Sequence, residues 1–318
     1  MFFLQTLSIF SIFFEILALG LAFYFKNTRI FFLSLALLIF HLPYLYASAF
    51  QAHLFVSLFL PLIFILLSVK QMGKLVIEQK NLSSAILLIF VANLSFFLSK
   101  NTNFNAANLD FHFLNLSFFK PLSELSFLFF IFISIILLIK SFKNRESYLF
   151  LAFLGANLQF LFESFWGFNY FEFASLVFCI YLIYQAYKIA FFDTLTKLPN
   201  EKNLNHFLKG KDSYIIALLH FSEFRDTQEI YIKLILKQIA KILKRFKAKI
   251  FIVDKDFILI FNDKNTALNH LAFLESTLKN KELKLENEVF KPEFKLVWKE
   301  NEKGLSQNLE SLRAKLLD

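Results

Sequence analysis

The sequence predicts an all-α seven-helix transmembrane bundle followed by a small α/β domain. Three observations predict it. Of 318 residues, 57% are hydrophobic and 48 are Phe, an apolar excess well above that of ordinary soluble domains. The excess is uneven: residues 1–188 hold 11 Lys/Arg against 7 Asp/Glu, a net of +4, whereas residues 189–318 hold 23 against 18, a net of +5 in a shorter stretch. The second part also alternates helical and strand periodicities and is long enough for one core. A membrane domain at 1–188 and a soluble domain at 189–318 follow.

Seven apolar stretches are long enough to span a bilayer: about 3–25, 29–50, 52–70, 81–99, 121–141, 146–167 and 170–188. The second and third are joined by almost nothing, which suits a tight antiparallel turn. No Lys or Arg precedes the first, so it reads as a retained helix and not as a secretory signal. Lys26 and Arg29 follow the first stretch; Lys70, Lys74 and Lys80 follow the third; Lys140, Lys143 and Arg145 follow the fifth; Lys188 ends the seventh. The alternate loops carry only Lys100 and Lys120. Positive loops stay on the cytoplasmic side. The chain is therefore expected to be a multi-pass protein of the inner (cytoplasmic) membrane, N-terminus outside and C-terminal domain in the cytoplasm. An odd number of spans agrees.

The net charge of +9 is modest for this length, and basic loops beside a bilayer explain it without nucleic acid. Cys179 is the single cysteine, which excludes an intramolecular disulfide. Polar residues fall near the expected bilayer midplane: Glu15, His41, Asn93, Asn157 and Gln159. Ionisable groups at that depth are costly and normally face a partner inside the bundle. They read either as interhelical hydrogen bonds that fix packing or as a ligand- or proton-responsive pocket centred on Glu15 and His41. Pro43 and Pro61 are candidate kinks. The Asn-rich segment 101–120 is the longest external loop, either a connector or a surface for an external partner.

Beyond the last stretch, Lys188-Ile189-Ala190-Phe191-Phe192 has no Gly/Pro/Ser linker, so helix is expected to continue into the soluble domain. Asn200 caps a short helix ending before Gly210. Tyr214–Leu219 reads as a buried strand. Residues 228–247 form an amphipathic helix with Ile235, Ile239, Ile242 and Phe246 inside and Lys233, Lys237, Lys241 and Lys244 outside. That lysine stripe is either a solvated face or a contact for anionic lipid. Lys249–Phe261 reads as a hairpin turning at Asp254-Lys255. A helix at 266–280, a strand near 294–298 and a helix at 305–317 complete an order that suits one sheet covered by helices.

The string Asp193-Thr194-Leu195-Thr196-Lys197-Leu198-Pro199-Asn200 resembles the Asp-x-Leu-Thr-x-Leu-x-Asn-Arg opening motif of the GGDEF (diguanylate cyclase) family, through Asp193, Leu195, Thr196, Leu198 and Asn200, with Glu201 in place of the final Arg. The element order of 190–318 is similar to that family's fold, and Leu312-Arg313-Ala314-Lys315 faintly resembles its terminal helix. The resemblance implies a catalytic hairpin at Val253-Asp254-Lys255-Asp256-Phe257 and a metal-binding first strand at His220-Phe221-Ser222-Glu223-Phe224-Arg225.

Joining two GTP molecules needs Mg²⁺ and hard oxygen ligands. Here His220 and Ser222 stand where the family has acids. Lys255 stands at the metal-binding position of the hairpin, and Val253 and Asp254 replace the two glycines. Asp256 alone is not a metal site. The guanine-binding Asn and the Gly-His-x-x-Gly-Asp turn have no counterpart, and Lys244-Arg245-Phe246-Lys247 lacks the acid of the product-inhibition motif. No zinc spacing, Walker loop or serine-nucleophile motif occurs. Lys255 is either a solvated turn residue or, with His220, an anion anchor.

The expectation is a degenerate, catalytically inactive signalling or scaffold protein with no metal and no cofactor. Its expected partners are the lipid bilayer, another protein and a second copy of the chain, with no nucleic acid. Cyclic di-GMP networks, motility and cell-pole organisation are settings the resemblance offers. Two alternatives stand beside it: a seven-helix receptor with the soluble domain as output, and an effector that still binds GTP or cyclic di-GMP.

Overall fold

The computed structural model describes residues 11–99, 124–144, 146–157, 160, 171–211, 213–221, 229–246, 248–285, 288–291, 293–301 and 304–317. Segment 101–120, Gln159 and residues 222–228 lie outside that set. The chain forms two compact units, Met1–Gln185 and Ala186–Asp318.

Apolar periodicity builds the first unit from helices α1 (Ser11–Tyr24), α2 (Thr28–His41), α3 (Pro43–Tyr46), α4 (Ala49–Val69), α5 (Gln79–Ser99), α6 (Glu124–Asn144) and α7 (Ser147–Asn157); α8 covers Glu172–Phe191. Among the described residues five helices are long and apolar enough to cross a membrane, at Thr28–Tyr46, Gln51–Val69, Gln79–Leu98, Glu124–Asn144 and Phe173–Phe191. Seven spans were expected. The first and sixth stretches hold shorter apolar helices, Ile12–Tyr24 and Ser147–Asn157, each bordered by residues outside the described set. In the second stretch Pro43 has no amide hydrogen to continue α2, and the chain restarts there as α3. Pro61 sits inside α4, which stays unbroken.

The turn into α4 is fixed by a capping box. Ser48 Oγ accepts from the Gln51 backbone N–H at 3.3 Å, and Gln51 Oε1 accepts from the Ser48 N–H at 3.4 Å. The basic helix ends meet at one face of this unit. Arg29 Nη1 donates to Glu146 Oε1 at 2.7 Å, and Lys140 Nζ lies 3.3 Å from Glu146 Oε2 while donating to the Ser68 carbonyl. Thr28 Oγ1 donates to the Gly73 carbonyl at 2.6 Å. These bonds tie together the start of α2, the end of α4, the end of α6 and the start of α7. The interior is one apolar cluster in which Phe40, Phe64, Phe153 and Phe178 are fully buried. Gly155 on α7 is needed where it stands: an added Cβ would lie 3.0 Å from the Ala174 backbone nitrogen and 3.1 Å from the Phe173 carbonyl carbon.

The second unit is a four-stranded antiparallel sheet of order β2-β3-β1-β6, built from β1 (Ile215–Phe221), β2 (Lys249–Val253), β3 (Asp256–Phe261) and β6 (Phe294–Glu300). Alternation along the strands sends one set of side chains to each face. Ile215, Ala217, Leu219, Ile250, Ile252, Phe257 and Leu259 pack with α10 (Glu229–Leu243) and α11 (Lys264–Lys279). Ile216, Leu218, Phe251, Val253, Ile258 and Ile260 pack with α9 (Glu201–Leu208) and α12 (Leu305–Leu317). Both faces are covered, which is why β1 and the hairpin read as unbroken apolar runs. A small hairpin that the sequence pattern does not reveal pairs β4 (Leu283–Leu285) with β5 (Glu288–Phe290). Three residues per strand in a Lys/Glu-rich stretch leave no alternation long enough to read.

Gly155→Val should lower the thermal midpoint of the full chain in detergent by several degrees, whereas Gly20→Val, with nothing within 4 Å of the added Cβ, should leave it near wild type. Scanning fluorimetry of the two variants checks this; equal effects would contradict the close α7–α8 packing.

Candidate functional site

Each residue of the opening motif that resembles the family has a local structural task. Asp193 Oδ2 accepts from the Leu195 N–H at 3.0 Å, the Thr196 N–H at 2.6 Å and the Thr196 hydroxyl at 2.7 Å, so one carboxylate folds the loop around itself. Lys197 takes φ +57°, and Leu198 is buried in the sheet core. Asn200 Oδ1 caps α9 by accepting from the Asn203 N–H at 3.2 Å, and its Nδ2 donates back to the Ala190 carbonyl at 2.9 Å. The loop is tied to the sheet because the Ile252 N–H donates to the Pro199 carbonyl at 2.9 Å. Lys244 stays exposed with the rest of the lysine stripe, and its Nζ also donates to the Thr196 carbonyl at 2.8 Å, which fastens the end of α10 to the loop. Lys233 pairs with Glu229 at 2.8 Å, and that hydrogen bond holds the Glu229 carboxyl below its usual range, with the Lys255 charge acting in the same sense.

The hairpin turns where the spacing places it. Val253 pairs with Asp256, and Asp254 adopts φ +56°, a left-handed conformation that Asp tolerates. Val253 is 5% exposed and belongs to the apolar cluster facing α9 and α12. Its side chain occupies space that a glycine would leave open. Phe257 is fully buried on the opposite face.

Register then decides the chemistry. In the β1–β3 ladder Leu219 pairs with Phe257, so continuing the antiparallel register by one residue places His220 opposite Asp256. Their side chains meet, with His220 Nδ1 2.7 Å from Asp256 Oδ1. An ionised carboxylate only accepts, so the imidazole proton in that bond sits on Nδ1. From α12, Arg313 Nη2 donates to Asp254 Oδ2 at 3.2 Å and lies 3.6 Å from Asp256 Oδ2. The Asp256 side chain is 11% exposed. The sequence singled out His220, Asp254 and Asp256 but missed Arg313 as their partner. Its placement beside Leu312, which the sheet buries, was the available signal. Ser222 lies outside the described residues.

Of the intramembrane candidates, the structure brings two together: His41 Nε2 lies 2.7 Å from Glu15 Oε1, with Glu15 wholly buried. Asn93 and Asn157 instead donate to carbonyls of their own helices, Ile89 and Phe153, each at 2.8 Å. A second polar pair was missed, the Tyr44 hydroxyl 2.9 Å from His53 Nδ1. Among the described residues no group of three or more His, Cys, Asp or Glu is arranged to hold a metal ion.

No protein-family model matches the chain, and no curated protein matches it. Solved structures similar to it are GGDEF domains, at low identity and partial coverage. The FimX GGDEF domain of Pseudomonas aeruginosa is 17% identical over 39% of this chain and 90% of that one, with a TM-score of 0.35. The coiled coil and GGDEF domain of DgcB from Caulobacter crescentus, in complex with c-di-GMP, is 19% identical over 45% and 87%, with a TM-score of 0.38. Diguanylate cyclase SiaD of Pseudomonas aeruginosa, in complex with its activator SiaC, is 19% identical over 44% of this chain and 61% of its own, with a TM-score of 0.38.

Two stability measurements test the site. Asp193→Ala should cost about 1–2 kcal/mol, because three donors lose one acceptor; faster limited proteolysis after Phe192 in the full chain reads it. A double-mutant cycle on Asp256→Ala and Arg313→Ala should give a coupling of about 0.5–1 kcal/mol, the range for a partly exposed ion pair. A coupling of zero would mean the pair is not formed.

Proposed function

We propose that this chain is a membrane-anchored, catalytically inactive GGDEF-like signalling or scaffold protein that acts through protein–protein contacts. The observation that carries the reading is the state of Asp256. It is the acidic residue on the hairpin strand, its side chain is nearly buried, and its oxygens face His220 and Arg313. The residues present do not fit Mg²⁺: Lys255 is a cation with no lone pair while protonated, His220 offers nitrogen where Mg²⁺ prefers hard oxygen, and Asp256, the enclosed carboxylate among the described residues of the site, already has both oxygens facing His220 and Arg313. The packed Val253 side chain adds a steric objection to close approach by a nucleotide.

In this reading residues 1–188 form the membrane domain and residues 189–318 the degenerate domain on the cytoplasmic side. The five long apolar helices and the two shorter ones at the first and sixth stretches support membrane anchoring. The gathering of Arg29, Lys140 and the end of α4 at one face supports a cytoplasmic assignment for that face. The output is a contact with a protein partner, with a second copy of the chain as a further partner, in a cyclic di-GMP-type pathway.

Purified full-length protein with Mg²⁺ and GTP should form no cyclic di-GMP, measured by chromatography with mass detection; accumulation above the protein-free control would overturn the reading. A second reading, a ligand- or proton-responsive receptor, is favoured by one observation. Glu15 is fully buried, and its Oε2 has no hydrogen-bond partner among the described residues. On that reading, replacing Glu15 and His41 together by Gln abolishes a signal-dependent change in proximity labelling of the partner without reducing membrane expression. An unchanged response removes it.

A further inference from the structure

Lys70 closes the C-terminal end of α4, one residue beyond the apolar window Gln51–Val69. A charge at that point of a membrane helix sits at headgroup depth. Arg29 and Lys140 share the Glu146 carboxylate, but among the described residues the polar contacts of the Lys70 ammonium are two hydroxyls from the start of α5, Ser83 Oγ at 2.5 Å and Ser84 Oγ at 2.7 Å. An ammonium has three N–H donors, so one is left. Directly beside it runs a groove of about 530 Å³, whose floor between α4 and α5 includes Leu66, Val69 and Leu87. Leu66 is 53% exposed and Val69 60%, which opens the groove sideways, toward the medium that surrounds an apolar helix. The same chemistry recurs nearby, where Lys26 and Lys74 border a second groove floored by Phe23 and Val76.

We propose that the Lys70 groove is a binding site for an anionic phospholipid. The third N–H of Lys70 and the Ser83 hydroxyl hold a headgroup phosphate oxygen, and one acyl chain lies along Leu66, Val69 and Leu87. The feature that points to lipid is the junction of a cation with an aliphatic channel. A soluble anion would use the lysine and leave the channel bare, and an apolar solute would leave the lysine unanswered. Basic pockets between membrane helices on the cytoplasmic side are suited to anionic headgroups. The inference rests on the membrane reading above.

The test uses the full chain in neutral detergent, with native mass spectrometry after adding phosphatidylglycerol, phosphatidylcholine of matched chains, or inorganic phosphate. Phosphatidylglycerol should be retained as a single adduct, about fivefold over phosphatidylcholine, the ratio matching roughly 1 kcal/mol for one basic contact. Lys70→Gln should remove the preference, Lys70→Arg should keep it, and Leu87→Trp, which fills the channel and spares the lysine, should reduce retention of both lipids. Equal retention of the two lipids, retention unchanged in both Lys70→Gln and Leu87→Trp, or binding of phosphate alone overturns the lipid site. Release of the chain from membranes by alkaline carbonate would instead overturn the membrane reading on which the site stands.

Discussion

A carboxylate on a strand whose two faces are both covered must find hydrogen-bond or charge partners, and Asp256 finds two. The β1–β3 register sets His220 opposite it, and α12 supplies Arg313. Arg313 is 46% exposed, so its pair with Asp256 is a modest tie, and the more enclosed contact is the one with His220 at 2.7 Å. The hairpin, the end of β1 and the terminal helix are therefore held by the same charge. This arrangement explains why a turn that carries Lys255 and Asp254 at its tip is compatible with a sheet so apolar at Ile258 and Ile260 just behind it.

The resemblance to the GGDEF family is strongest where residues carry architecture and lapses where they would carry chemistry. Asp193, Thr196 and Asn200 build a loop and cap a helix, and the Pro199 carbonyl ties that loop to strand β2. Those tasks do not depend on nucleotide. At 220, 253 and 255 the side chains are an imidazole, a packed isopropyl group and an ammonium.

Much of this was legible in the sequence because local periodicity decides it. The hairpin, its Asp254-Lys255 turn and the inward stripe of Ile235 and Ile239 follow from spacing alone. So does the helix at 305–317. Pairing between distant segments was not legible. The turn fixes β2 against β3, but nothing in the sequence fixes β1 against β3, and a shift of one residue would send His220 to the other face. The Arg313 contact and the Tyr44–His53 pair have the same origin, since each depends on which helices and strands meet. The β4–β5 hairpin was lost for a different reason: it is too short for alternation to register. Among the polar residues in apolar stretches, burial alone did not predict partners. Asn93 and Asn157 satisfied themselves within their own helices, while Glu15 and His41 needed each other.

The central claim of the proposed reading is that the enclosed carboxylate at the hairpin is committed to protein side chains and holds no divalent metal. Its most direct test is to count Mn²⁺, a stand-in for Mg²⁺, bound to the full-length protein by electron paramagnetic resonance in the presence of GTP. Mn²⁺ should titrate as in GTP alone, unchanged by Asp256→Asn. A saturable, protein-held Mn²⁺ signal that disappears with Asp256→Asn would contradict the claim.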